Sequence, residues 1–284
     1  MSAGFLVVDK PGGITSHDVV AQVRRATGIR KAGHTGTLDP MATGVVVVAV
    51  GGVTRLVRFL QELDKEYVAT ACFGVRTDTL DADGAVLARS AMTVAKADVE
   101  AVAASFLGES LQVPPMVSAL KKDGRRLYDL AREGIEVERV ARPVTIHELE
   151  ILDVGTGEHP LVSFRVVCGK GTYVRALADD IAGALGGYAH LTALRRTRNG
   201  TLDVSRAITV DALEDWQQHL VSPTDALSFL PQIVVDPDQE TSVANGRPLE
   251  GAVEGLVRVA DRAGRLLAVY RGDGTTVRPE VVLA

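Results

Sequence analysis

Two periods of hydrophobic and polar positions run along this chain. "FLVVDK" (5–10) is a short apolar run closed by "PGG", the pattern of a buried strand ending in a turn. In "SHDVVAQVRRATG" (16–28), Val19, Val20, Val23 and Ala26 recur at helical spacing, Ser16 is a good helix cap and Gly28 a stop. "VVVVAV" (45–50) is again a strand, and over 53–64 Leu56, Val57, Leu60 and Leu63 face inward on a helix. In "EYVATACFG" (66–74), period two puts Tyr67, Ala69, Ala71 and Phe73 on one strand face.

"RTDTLDADG" (76–84) is turn chemistry, and "VAKADVEAVAASFLG" (94–108) predicts a helix. "VPPM" (113–116) must be extended, because proline restricts the residue before it. Residues 121–143 are rich in charge and poor in large apolar residues, an excursion from the core. "LVSFRVVCGKG" (161–171) predicts a strand, followed by a helix from Thr172. After Pro231, short β-like pieces alternate with glycine turns, as in a small β-rich module. Irregular alternation of strands and helices fits a mixed α/β (α+β) sheet with a small appended β domain.

Composition changes this picture little: 284 residues, 46% hydrophobic and 24% charged, give ample material for a core. The net charge of -5 excludes a uniformly basic surface but not a local basic stripe. Cys72 and Cys168 lie far apart in apolar runs and fit no zinc spacing, so they read as free thiols in a reducing cytosol. No signal peptide opens the chain, and no apolar run is long enough to span a bilayer.

Candidate chemistry concentrates in "KAGHTGTLDPMATG" (31–44), where Asp39 and His34 sit in a constrained turn. The stretch lacks the lysine of a phosphate loop, and no GxGxxG follows a strand. Six histidines without an HxxxH pair give no support to a metal site. A GxSxG elbow is absent, whereas a distant second carboxylate, as in a glycosidase, stays open. On spacing alone Asp39 is a turn aspartate ahead of Pro40, flanked by predicted strands and by Gly33, Gly36 and Gly44.

"GHTGTLDPMATG" closely resembles the catalytic motif of the TruB family of tRNA pseudouridine synthases. "DKPGGITSHDVV" (9–20), "DKEYVA" (64–69), "RTDTLDADG" (76–84), "PPMVSALKKDGRRLYDLAREGIEV" (114–137), "GKGTYVRALADDI" (169–181) and "LTALRRTRNG" (191–200) resemble further family blocks, in the family's order. The long insertion after "VSAL" resembles the stand-alone bacterial type rather than the guide-RNA-dependent synthases. The short tail is similar to the PUA-like domain of actinobacterial members.

The resemblance implies a pseudouridine synthase fold: a central mixed, largely antiparallel sheet flanked by helices, plus a small C-terminal β-rich PUA-like domain. It implies a catalytic domain over 1–230, with an RNA-binding insertion at about 117–143, and the PUA-like domain over 231–284. The implied reaction isomerises uridine to pseudouridine in the T loop of tRNA, at conventional position 55, by base flipping and without cofactor or metal. Asp39 resembles the nucleophile, Arg175 the arginine that pairs with it, and Tyr67 the tyrosine that stacks on the flipped base. His34 resembles the residue that fills the vacated space, and Leu194 an apolar residue of the pocket. Lys10, Tyr173 and Asp81 are candidates for supporting that pocket. Lys121, Lys122, Arg125, Arg126 and Arg132, with Arg195, Arg196 and Arg198 and a patch at Arg24, Arg25, Arg30 and Lys31, fit a phosphate-tracking groove. The expected partner is the T arm of tRNA, for a cytoplasmic monomer without membrane or protein partner. The rival readings are an RNA-binding or tRNA-folding chaperone without catalysis, and a glycosylase that releases free uracil.

Overall fold

The apolar run at the N-terminus pairs as its pattern requires. In the computed structural model, which describes residues 3–118, 121–122, 124–126, 133, 135 and 137–283, Gly4–Lys10 forms β1 with every residue but Asp9 buried. Next come α1 (Ser16–Thr27), β2 (Ala32–His34), β3 (Thr43–Val50), a 3-10 segment (Gly51–Leu56) and α2 (Val57–Gln61). Then follow β4 (Lys65–Phe73), β5 (Val75–Thr77), β6 (Val86–Arg89), α3 (Lys96–Ala104) and β7 (Gly108–Gln112). A two-residue hairpin, β8 (Lys121–Lys122) and β9 (Arg125–Arg126), precedes β10 (Arg142–Val154), β11 (Leu161–Cys168), α4 (Val174–Ala184) and β12 (Ala189–Asn199). The remainder holds β13 (Leu202–Asp203), β14 (Ile208–Thr209), α5 (Pro223–Ala226), β15 (Gln232–Val234), α6 (Pro237–Ala244), β16 (Leu249–Glu250), β17 (Glu254–Ala260), β18 (Leu266–Asp273) and β19 (Thr276–Val282). The architecture is mixed α/β, with a large and mostly antiparallel mixed sheet and a C-terminal β module, as expected.

The chain forms two units, one of Met1–Pro40, Gly44–Glu62 and Arg198–Ala284 and one of Met41–Thr43 and Leu63–Thr197. In the first, β1 lies antiparallel to β3 and parallel to β14, and β2 joins β3 through His34↔Val48. The same unit carries a five-stranded sheet, β15-β17-β18-β19-β16, over a core of Val243, Val257, Val259, Ala268, Tyr270 and Val277. The second unit carries the order β12-β4-β11-β10-β7. Along β4 burial alternates strictly, with Lys65, Tyr67, Ala69, Ala71 and Phe73 inward. Helix α3 packs on β10 and on α4.

Four local expectations are corrected. Thr15, not Ser16, caps α1: it forms a capping box with Asp18, which leaves the Ser16 side chain free to turn inward. The buried stripe of α1 is Ser16, Val19, Val20 and Val23, and Ala26 lies exposed off that stripe. The single helix expected over 53–64 is a 3-10 segment that begins at Gly51, in a left-handed conformation, and continues as the short α2. There Leu56 and Leu60 are buried, as is Phe59, while Val57 and Leu63 are half-buried. Helix α4 begins at Val174 rather than Thr172, because Tyr173 is still extended. Cys72 and Cys168 are free thiols, half-buried and buried respectively.

Candidate active site

The turn that carries Asp39 is held from below by one preceding segment. Ser16, 1% exposed, accepts the Leu38 N–H at 2.8 Å and donates to the Leu38 carbonyl at 3.3 Å. The fully buried Lys10 ammonium donates to the carbonyls of Pro11 (2.9 Å), Ile14 (2.7 Å) and Pro40 (3.0 Å). Gly13 N–H adds a second bond to the Pro40 carbonyl at 2.8 Å. An ammonium with three donors suits this cradle of three carbonyls. Leu38 and Ala42 anchor the turn in the core, while Asp39 is half-buried.

The entry to the turn is fixed as firmly. Thr35 extends the β2–β3 pairing by donating its N–H to the Val47 carbonyl at 3.0 Å. Its buried hydroxyl accepts from Asn199 Nδ2 at 2.7 Å. His34 Nδ1 accepts the Gly36 N–H at 3.2 Å, and its ring meets His17 edge-on at 5.5 Å between centroids. Nδ1 therefore acts as acceptor here, which places the proton of a neutral imidazole on Nε2. Of the flanking glycines, Gly44 has a positive φ of 99°, whereas Gly33 faces open space.

In the second unit Arg175, Asp81 and Tyr173 come together. Arg175 opens α4 and is 2% exposed. It donates to Asp81 Oδ2 at 3.1 Å and to the carbonyls of Thr79 (2.6 Å) and Val117 (2.8 Å). Asp81 is 5% exposed, and its Oδ1 accepts from Thr79 Oγ1 at 2.5 Å and from the Asp83 N–H at 3.2 Å. The carboxylate is thus multiply bonded, as a buried charge must be. Leu80, next to it, holds a positive φ of 60°, a rare state for a large side chain, and its carbonyl accepts the Leu191 N–H at 3.0 Å. Tyr67 and Leu194 are both buried, on the neighbouring strands β4 and β12.

The basic candidates divide. Arg195 is half-buried and reaches Thr43 Oγ1 at 3.4 Å. Arg196 is 1% exposed, which speaks against its expected place in the phosphate-tracking groove: on β12 it shares one inward face with Leu194. Arg125 is exposed and pairs with Glu133, and the backbones of Lys121, Lys122 and Arg126 form the β8–β9 hairpin. Arg132 lies outside the described residues.

Two residues support the site without standing out in the sequence. Ser16 reads there as a cap, although its neighbour Thr15 with Asp18 three positions on spells the better capping box. Gln112, 5% exposed, ends β7 and clamps Tyr173, donating to its carbonyl (3.2 Å) and accepting its N–H (2.8 Å). This clamp fixes the residue ahead of the helix that carries Arg175, and no local pattern announces it.

Two family models match in tandem: "TruB family pseudouridylate synthase (N terminal domain)" over residues 24–174 and "tRNA pseudouridylate synthase B C-terminal domain" over 175–234. The tRNA pseudouridine synthase B of Aromatoleum aromaticum is 46% identical, over 98% of this chain and 91% of that protein. The protein of the same name from Mycobacterium ulcerans is 44% identical, over 99% of this chain and 94% of its own length. Among solved structures, the chain resembles one of a Cbf5-Nop10-Gar1 complex, with a TM-score of 0.77, 29% identity and coverage of 99% of this chain and 85% of the other. It also resembles a chain of an H/ACA RNP bound to a substrate RNA containing 2'-deoxyuridine, at a TM-score of 0.73 and 27% identity, over 99% of this chain and 85% of the other. With a family model over more than half its length and relatives of this identity along nearly all of it, the chain belongs to the TruB family of pseudouridylate synthases.

Proposed function

We propose that this protein isomerises uridine to pseudouridine in the T loop of tRNA, with Asp39 as the nucleophile and no cofactor. Membership of the family and the name shared by its relatives, tRNA pseudouridine synthase B, support the reaction and the substrate. The observation that carries the residue assignment is the Asp39 turn. A half-buried carboxylate stands between two backbone positions that are each hydrogen-bonded by a buried side chain, Ser16 on one flank and Lys10 on the other. Such a fixed carboxylate is suited to an electron-poor anomeric carbon.

The chemistry needs neither oxidant nor activated group. The N1–C1′ bond breaks as Asp39 attacks or supports C1′, the uracil turns, and C5 bonds to C1′. C5 gives up its proton and N1 gains one, so substrate and product are isomers. Arg175 supplies the counter-charge that keeps Asp39 ionised. Tyr67 stacks on the extruded base, Leu194 closes the pocket, and His34 fills the space the base leaves, repaying part of the few kcal/mol of unstacking. Lys10, Asp81 and Tyr173 hold these groups in place.

Lys121, Lys122, Arg125, Arg126, Arg132 and Arg195 track phosphates, and the 117–143 insertion grips the T arm. The catalytic part spans 1–230 and the PUA-like part 231–284; the protein acts in the cytoplasm as a monomer. Incubation with an unmodified tRNA transcript tests this directly. New pseudouridine without free uracil is expected. Binding without product would leave an RNA chaperone, and free uracil would make the protein a glycosylase.

A further inference from the structure

We propose that Ser16 is a positioning residue for Asp39: its hydroxyl holds the Leu38 peptide so that the carboxylate one residue on keeps the orientation the reaction uses. The proposal rests on the reading of Asp39 as nucleophile. Ser16 does not touch the substrate in this scheme. It acts through the backbone.

Three observations carry it. One buried hydroxyl grips both polar groups of Leu38, at 2.8 Å and 3.3 Å, across 22 positions of sequence. That hydroxyl has no capping duty, because Thr15 and Asp18 already close the end of α1 through a full capping box. On the other flank, the Pro40 carbonyl is pinned by Gly13 N–H and Lys10 Nζ. Asp39 therefore stands between two pinned residues, Leu38 and Pro40, and both fixings come from residues 10–16. Its backbone torsions have little room to change while both clamps hold. Loss of the Ser16 hydroxyl leaves the Leu38 N–H and carbonyl without this partner and releases one flank of the turn.

A serine that only stabilised the fold and one that positions the carboxylate differ in what their removal does. The first costs stability and leaves turnover of the folded enzyme alone. The second costs turnover, because a misplacement of about 1 Å at a reacting group costs up to ~10²-fold. RNA affinity, spread over many phosphates, moves little in either case.

The test compares Ser16→Ala, Ser16→Cys and Asp39→Asn in the full-length protein, by single-turnover rates on saturating unmodified tRNA transcript, RNA Kd and Tm. Ser16→Ala is expected to slow the chemical step by ~10–100-fold with Kd within about two-fold of wild type. Ser16→Cys keeps a weaker donor and acceptor of similar size and is expected to slow it by less, about several-fold. Wild-type rates in either folded variant, or a loss confined to Kd, overturn the proposal, and Ser16→Cys carries the test alone should Ser16→Ala not fold. Turnover by Asp39→Asn is a different failure: it overturns the nucleophile reading itself.

Discussion

Burying Arg175 strips a guanidinium of water, and the molecule answers with two carbonyls and the carboxylate of Asp81. Breaking such a pair by removing one partner costs far more than the pair contributes against an apolar substitute. Asp81→Ala should therefore lower unfolding free energy by about 3–5 kcal/mol in urea titrations, with the slope unchanged; a loss under about 1 kcal/mol would contradict the buried pair. The blocks that hold Asp81 and Arg175 were legible in the sequence. Their pairing across 94 residues was not, because it depends on how β12, the 78–84 turn and α4 meet. A second carboxyl gives a pH signature. Partial burial pushes the Asp180 carboxyl up to about 6, helped by the neighbouring Asp179. A carboxyl raised in the fold contributes its stability while protonated: in full below about 4, and lost as pH rises through about 6. Asp180→Asn should therefore stabilise the protein more at pH 8 than at pH 4. Equal effects at both pH values would contradict it.

At the scale of elements, period and capping explain what could be read and what could not. Strand β4 was legible because its alternation is unbroken, with small residues inward beside Tyr67 and Phe73. Strand β12 was not, because His190, Arg196 and Asn199 are buried polar residues that mimic a charged loop. Helix α6 hides in a tail of β-like pieces, although Asp236, Pro237 and Gln239 spell a capping box with proline in the first turn. The start of α1 separates stability from chemistry within two adjacent residues. Thr15→Ala removes the cap and should cost about 1 kcal/mol, while turnover of the folded enzyme stays at the wild-type value. A slowed chemical step in Thr15→Ala would show that the helix end as a whole, and not the Ser16 hydroxyl, governs the Asp39 turn.

For the whole molecule, a net charge of -5 forces any grip on RNA to be local. The arginines of the C-terminal module are largely answered within it: Arg262 by Asp236, Arg265 by Asp261, Arg271 by Glu280 and Arg278 by Asp273. Arg25 and Arg30, near the end of α1, are exposed. Reversing both to glutamate should weaken tRNA binding and reduce the slope of affinity against salt by about 1 for each phosphate no longer neutralised. Arg271→Glu should leave that slope in place, and a comparable drop would move the RNA footprint onto the C-terminal module. Charge runs suggested such patches from the sequence, but only the fold separates Arg196, buried, from its neighbour Arg195. The pairing of β1 with β14, across 200 residues, lay beyond any local pattern. The fold class and the motif around Asp39 did not, and the central claim concerns that residue. Quantifying pseudouridine in an unmodified tRNA transcript after incubation with wild type and Asp39→Asn, alongside their tRNA affinities, tests it most directly. Pseudouridine is expected from the wild type alone, with affinities within a few-fold of each other; substantial turnover by Asp39→Asn would contradict the assignment.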